Sequence, residues 1–257
     1  MNIYQHFRPE EREFIDQVLQ WKDFVENSYS PKLTDFLDPR EQQIIKTIIG
    51  TGSEIKVAFF GGLEENERKR ALIYPDYLNV EKDDFNIQLF EIEYATKFIT
   101  IEHPQVLGSL MGLGLKRGKF GDIIIQNDRV QFLVGKEISD YIRMQLTHIG
   151  RSSISLKEIP LEEGLYIHDS WQEISTTVSS LRLDTIMSAL LNISRQRSQA
   201  YIRAGRVKVN WTTIENPAFD CDVADMISVR GFGRSKIISI EGRTKKDKIR
   251  IIAGKQK

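Results

Sequence analysis

The stretch Arg182-Leu-Asp-Thr-Ile-Met-Ser-Ala-Leu-Leu-Asn-Ile-Ser194-Arg-Gln-Arg-Ser-Gln-Ala-Tyr-Ile-Arg-Ala-Gly205-Arg-Val-Lys-Val-Asn210 decides how this chain is read. Leu183, Ile186, Met187, Leu190 and Leu191 recur at helical spacing and give a helix one apolar stripe. Ser179 or Ser180 can cap it. Ser194 caps a second helix over residues 195–204, and Gly205 stops that helix. Residues 207–211 alternate as a strand does, with Lys208 on the face opposite Val207 and Val209. After a loop through Pro217, residues 225–230 predict a second strand, residues 231–233 a turn, and residues 236–241 a third strand. Residues 181–245 are therefore expected to form one small domain, with residues 246–257 as a basic tail.

Charge sets this part of the chain apart. The whole sequence balances 36 Lys+Arg against 36 Asp+Glu. Residues 181–257 hold 16 basic and 7 acidic side chains, which leaves 20 and 29 for the rest. A split of +9 against −9 points to an anionic partner for the C-terminal third, either nucleic acid or a membrane surface. Without a partner it is a solvated basic face. Arg195 and Arg197 fall in the first turn of their helix, where the dipole favours carboxylates and gives arginine no folding benefit. They are read as ligand-binding side chains with Arg182, Arg206, Lys208 and Arg230 in support. Pairing with an acidic neighbour such as Asp184 is the structural alternative.

The remaining sequence reads as two further units. In residues 1–75, an amphipathic helix is expected over 9–27, with Pro9 and Glu10 in its first turn. A second helix is expected over 39–49, capped by Asp38. Strands are expected at 55–60 and 71–73, with a charged helical segment at 64–70; together these make a small α/β unit. Residues 76–165 give the order strand (85–94), helix (104–113), strand (122–126), strand (129–134), helix (137–148), strand (152–156). That is the order of a ferredoxin-like domain, an architecture shared with RNA-recognition domains. The fold class is α+β.

Composition excludes several functions. The chain is 40% hydrophobic and 28% charged, as a folded soluble protein is. No apolar run reaches the roughly 18 residues of a membrane span, so no membrane insertion is expected. The first residues show no basic region followed by an apolar stretch, so no secretory signal is expected and the location is read as cytoplasmic. The single cysteine, Cys221, cannot form an internal disulfide. The four histidines show no ligand spacing, so neither metal nor cofactor is expected.

Three motifs suggest other chemistry. Arg182-Leu-Asp-Thr185 resembles the surroundings of the catalytic aspartate in pseudouridine synthases. Here Asp184 sits early in a helix with no glycine beside it, which favours capping or ion pairing. His148-Ile-Gly150 resembles part of a tyrosyl-tRNA synthetase signature but is read as the end of a helix, with Gly150 as its stop. Gly112-Leu-Gly-Leu-Lys-Arg-Gly118 lacks the spacing of a phosphate loop and reads as a helix stop and turn. Its Lys116 and Arg117, with Lys119, are a secondary candidate for RNA phosphate.

Arg182-Leu-Asp184, Ser194-Arg195, Ala200, Gly205-Arg-Val-Lys-Val-Asn210 and Asp225-Met-Ile-Ser-Val-Arg230 resemble the RNA-binding module of small-subunit ribosomal protein S4. With residues 107–122 and 229–236, the resemblance extends nearly end to end to the YlmH family. It implies a C-terminal S4-type module, a middle domain similar to RNA-recognition domains, and a role in translation. A ribosome quality-control factor with the same module works on stalled large subunits that hold peptidyl-tRNA. The resemblance thus implies a non-enzymatic protein whose partners are rRNA, tRNA and the large ribosomal subunit. Two alternatives stand beside it. One is an RNA-modifying enzyme, of the pseudouridine synthase or methyltransferase type, targeted by the basic module. The other is a scaffold for cell-division proteins.

Overall fold

The computed structural model describes residues 4, 7, 11–50, 54–166 and 171–256. It separates into two compact units, Met1–Ile167 and His168–Lys257.

The first unit opens with α1 (Arg12–Ser28), β1 (Lys32–Leu37), α2 (Pro39–Ile49), β2 (Ile55–Phe60) and β3 (Lys69–Pro75). Pro9 and Glu10, expected in the first turn of α1, lie outside the described residues. Asp38 caps α2 by accepting from Glu41 N at 2.9 Å, and Glu41 returns a bond to Asp38 N at 2.7 Å. The three strands form an antiparallel sheet in the order β1-β3-β2. Ile15, Val18, Ile44, Ile45 and Ile73 pack between the helices and this sheet.

Residues 64–70 are not helical. Glu67 N and Arg68 N donate to the Asp122 carboxylate at 2.6 and 3.2 Å, and a helix would need them for its own carbonyls. The Asn66 side chain donates to Gly61 O at 2.7 Å and closes the turn.

The same unit continues with β4 (Ile87–Glu93), α3 (His103–Gly112), β5 (Phe120–Gln126), β6 (Arg129–Gly135), α4 (Ser139–Gln145), β7 (His148–Ile149), β8 (Ser152–Ser153) and β9 (Ser155–Ile159). The four long strands are antiparallel in the order β5-β6-β4-β9. This is the ferredoxin-like arrangement, and the α+β class holds. Asn127 and Asp128 turn the β5–β6 hairpin with φ of 48° and 64°. His148-Ile-Gly150 does not end a helix as expected. α4 stops at Gln145, and the triplet forms β7 and its turn, with Gly150 at φ 58°. One face of the sheet packs on α3 and α4 through Phe90, Phe132 and Leu110. Its other face is covered by Phe36 and by Leu63, Leu161 and Leu165, which pack on Leu89 and Leu133.

The second unit comprises β10 (Trp171–Val178), α5 (Leu183–Leu191), α6 (Arg195–Arg203), β11 (Val207–Val209), β12 (Thr212–Thr213), β13 (Met226–Val229), β14 (Gly233–Arg243) and β15 (Ile249–Gln256). They form one six-stranded sheet in the order β10-β15-β14-β13-β11-β12. Leu183, Ile186 and Met187 of α5 and Ile202 of α6 pack on Val207, Val229 and Ile237. The expected basic tail is corrected here: residues 249–256 are a strand between β10 and β14, with Ile251 and Ala253 in the core. Lys257 lies outside the described residues.

Candidate nucleic-acid interface

The centre of the candidate site is a carboxylate. Asp184, in the first turn of α5, is fully buried at 0% exposure. Arg182 reaches it through Nε to Oδ1 at 3.2 Å and Nη2 to Oδ2 at 3.3 Å. Arg195, the first residue of α6, donates Nε to Oδ2 at 2.9 Å and Nη2 to Oδ1 at 3.4 Å. Gln199 adds its side-chain amide to Oδ2 at 2.7 Å, and the Thr185 hydroxyl bonds Oδ1 at 3.2 Å. Burial alone would push the Asp184 carboxyl up. The bonds from Arg182, Arg195 and Gln199 outweigh it and hold the carboxyl well below the usual carboxylate range. A carboxylate with this many donors stays ionised. The ion-pairing alternative for Asp184 and Arg195 is therefore the one the structure contains.

The pairing aims the arginines without hiding them. The Arg182 and Arg195 side chains remain 37% and 50% exposed while their inner edges hold Asp184. Arg195 and Gln199 are four residues apart, so they share one face of α6. Ser194 caps the helix by accepting from Arg197 N at 3.2 Å, as its position in the sequence predicts.

A second pair stands on an aromatic ring. The guanidinium carbons of Arg197 and Arg206 each lie 5.9 Å from the centre of the Tyr201 ring. Phe232 meets that ring edge-on at 5.5 Å. Gly205, with φ 64°, turns the chain from α6 so that Arg206 comes back towards Tyr201, and Arg206 N donates to Tyr201 O at 3.1 Å. Arg230 is exposed and joins the same corner through its backbone N–H, which donates to Arg206 O at 3.0 Å.

Lys208 is not in this group. Val207 and Val209 are buried in the core, so Lys208 projects from the other face of β11, opposite Ser228 and Thr213. Two of the secondary candidates, Lys119 and Arg117, are engaged within the first unit. Lys119 Nζ bonds Asp35 Oδ1 at 2.6 Å and Glu137 Oε1 at 3.3 Å. Arg117 donates to Phe120 O at 2.6 Å and Gly121 O at 3.2 Å. Lys116 is exposed beside them.

Asp184 holds Arg182 and Arg195 as the pairing alternative had it, and Gln199 and Tyr201 are the two partners that were not named from the sequence. Gln199 and Tyr201 carried a weak signal, since each lies four residues after an arginine on the same helix.

Three family models match the chain. The YlmH N-terminal model covers residues 10–78, the model of the RNA-binding domain in YlmH covers 80–163, and the S4 domain model covers 181–227. A curated relative from Bacillus subtilis (strain 168), named ribosome-associated protein quality control protein P2, is 47% identical over all of this chain and 99% of its own length. A solved structure, cell division protein ylmH from Streptococcus pneumoniae, is 36% identical and matches with a TM-score of 0.56. That match covers 64% of this chain and 100% of the solved one. The chain belongs to the YlmH family, and the arginine face is part of its S4 domain.

Proposed function

We propose that this protein is a non-enzymatic RNA-binding factor of the ribosome, which holds large-subunit rRNA and tRNA in the rescue or quality control of stalled peptidyl-tRNA complexes. The observation that carries the reading is the buried Asp184 carboxylate with Arg182, Arg195 and Gln199 fixed around it. Long cationic side chains ordinarily lose rotamer freedom when they bind, at about 0.5–1.5 kcal/mol each. Here two of them are ordered beforehand.

The guanidinium forks of this face suit phosphate oxygens, and such contacts orient an RNA helix without reading its sequence. Double-stranded RNA is recognised largely in this way, by shape and backbone. The name of the Bacillus subtilis relative supports the ribosomal setting. The inaccessibility of Asp184 supports a non-enzymatic role.

Sedimentation of the full chain with separated ribosomal subunits at graded salt tests this. The protein should pellet with the large subunit. Its log–log affinity should fall by about 0.7–0.9 per phosphate contact. Binding to neither subunit, or a slope near zero, would overturn the reading.

A further inference from the structure

We infer that the β14–β15 hairpin loop is a second RNA-phosphate contact, apart from the arginine face and outside the segment matched by the S4 domain model. This inference rests on the RNA-binding reading above. The loop, residues 244–248, is built to one shape. Asp247 N donates to Thr244 O at 2.9 Å, and Thr244 N donates to Lys248 O at 2.7 Å. Lys248 N also donates to the Thr244 hydroxyl at 3.1 Å. Asp247 has φ 56°, a left-handed conformation that Asp tolerates, and Arg243 fixes its carboxylate at 2.7 Å. Lys245 and Lys246 occupy the two central positions of this turn, and Lys248 follows.

Lys245, Lys246 and Lys248 are exposed, and their side chains have no hydrogen bond or ion pair among the described residues. Three unpaired ammonium groups on one hydrogen-bonded turn repel one another. Their placement is explained by an anion. Residues 241–248, Glu-Gly-Arg-Thr-Lys-Lys-Asp-Lys, offer no apolar side chain to a lipid interface or to a protein groove. Phosphate on RNA needs none.

The strand sets the spacing. Phe232, which touches Tyr201, directly precedes the eleven residues of β14, and the loop directly follows them. At about 3.3 Å per residue the two cationic sites stand roughly 30 Å apart, so they meet different phosphates.

The test uses the full chain, deproteinised ribosomal RNA and phosphatidylserine vesicles. A triple variant, Lys245→Gln, Lys246→Gln and Lys248→Gln, should bind the RNA roughly 10- to 100-fold more weakly at low salt. Its log–log salt slope should be shallower by about 2, the loss of two or three phosphate contacts. Its melting temperature should match the wild type, and the corresponding triple Lys→Arg variant should bind normally. If the Gln variant keeps full affinity and slope while Arg197→Gln weakens binding, the hairpin inference is overturned and the RNA-binding reading stands. If the wild type binds no RNA, both fall. If the Gln variant loses only vesicle binding, the loop is a lipid contact and the inference is overturned.

Discussion

At the scale of single residues, two buried aspartates respond to pH in opposite directions. Asp184 has its carboxyl held below the usual range, so it stabilises the fold above the unfolded value of about 4, and that contribution fades as pH falls. Asp184→Asn removes the charge-assisted bonds and should destabilise the C-terminal unit by about 1–3 kcal/mol at pH 7. In urea unfolding the gap to the wild type should narrow below pH 4; a gap independent of pH would contradict the assignment. Asp122 is pushed up to about 6 by burial, then by the nearby Glu67 charge. Its folded form holds a proton that the unfolded form releases, so its contribution is full below about pH 4 and is lost as pH rises through 6. Wild-type stability should carry this downward slope between pH 4 and 6. Asp122→Asn should remove that slope even if its overall stability is lower.

At the scale of elements, the correction to the C-terminus gives the sharpest prediction. β15 lies between β10 and β14 and carries the buried Ile251 and Ala253. Ending the chain after Lys246 should therefore unfold the C-terminal unit, since losing one large buried aliphatic side chain alone costs about 2–5 kcal/mol. Limited proteolysis reads this directly, and a truncated protein as resistant as the full chain would contradict the placement. The sequence concealed this strand because Arg250, Gly254 and Lys255 suggest a solvated segment. The period-2 signal of Ile249, Ile251 and Ala253 emerges only once paired strands cover both edges. β1 was hidden similarly: Thr34 turns its hydroxyl to Ala71 N at 2.9 Å, and a bulge between Leu33 and Phe36 breaks the alternation. Elements with strong local chemistry were legible. Asp38-Pro39 and Ser194 start their helices where the sequence places them, because a cap is a contact between near neighbours. The Ser194 cap places Arg195 and Arg197 in the first turn of α6, whereas the convergence of Arg195 and Gln199 on Asp184 depends on α5 meeting α6 in space.

At the scale of the whole molecule, the middle and C-terminal domains present different surfaces to RNA. RNA-recognition folds stack bases on aromatic side chains of the open sheet face. In the middle domain that face is covered by Phe36, Leu63, Leu161 and Leu165. Gln131, fully buried on the same face, accepts from Leu165 N at 2.7 Å and holds this cover in place. Its outer part carries Glu91, bound to Arg129 at 2.9 Å and to Gln131 at 2.9 Å, in place of stacking rings. On the proposed function, the main RNA contact is therefore expected in the C-terminal unit. Ultraviolet cross-linking of the full chain to large ribosomal subunits, with the nucleotide-bearing peptides identified by mass spectrometry, tests this most directly. The account predicts adducts within residues 182–250, centred on Tyr201, and none on β4 or β6. Adducts concentrated on those two strands, with residues 182–250 unmodified, would contradict it.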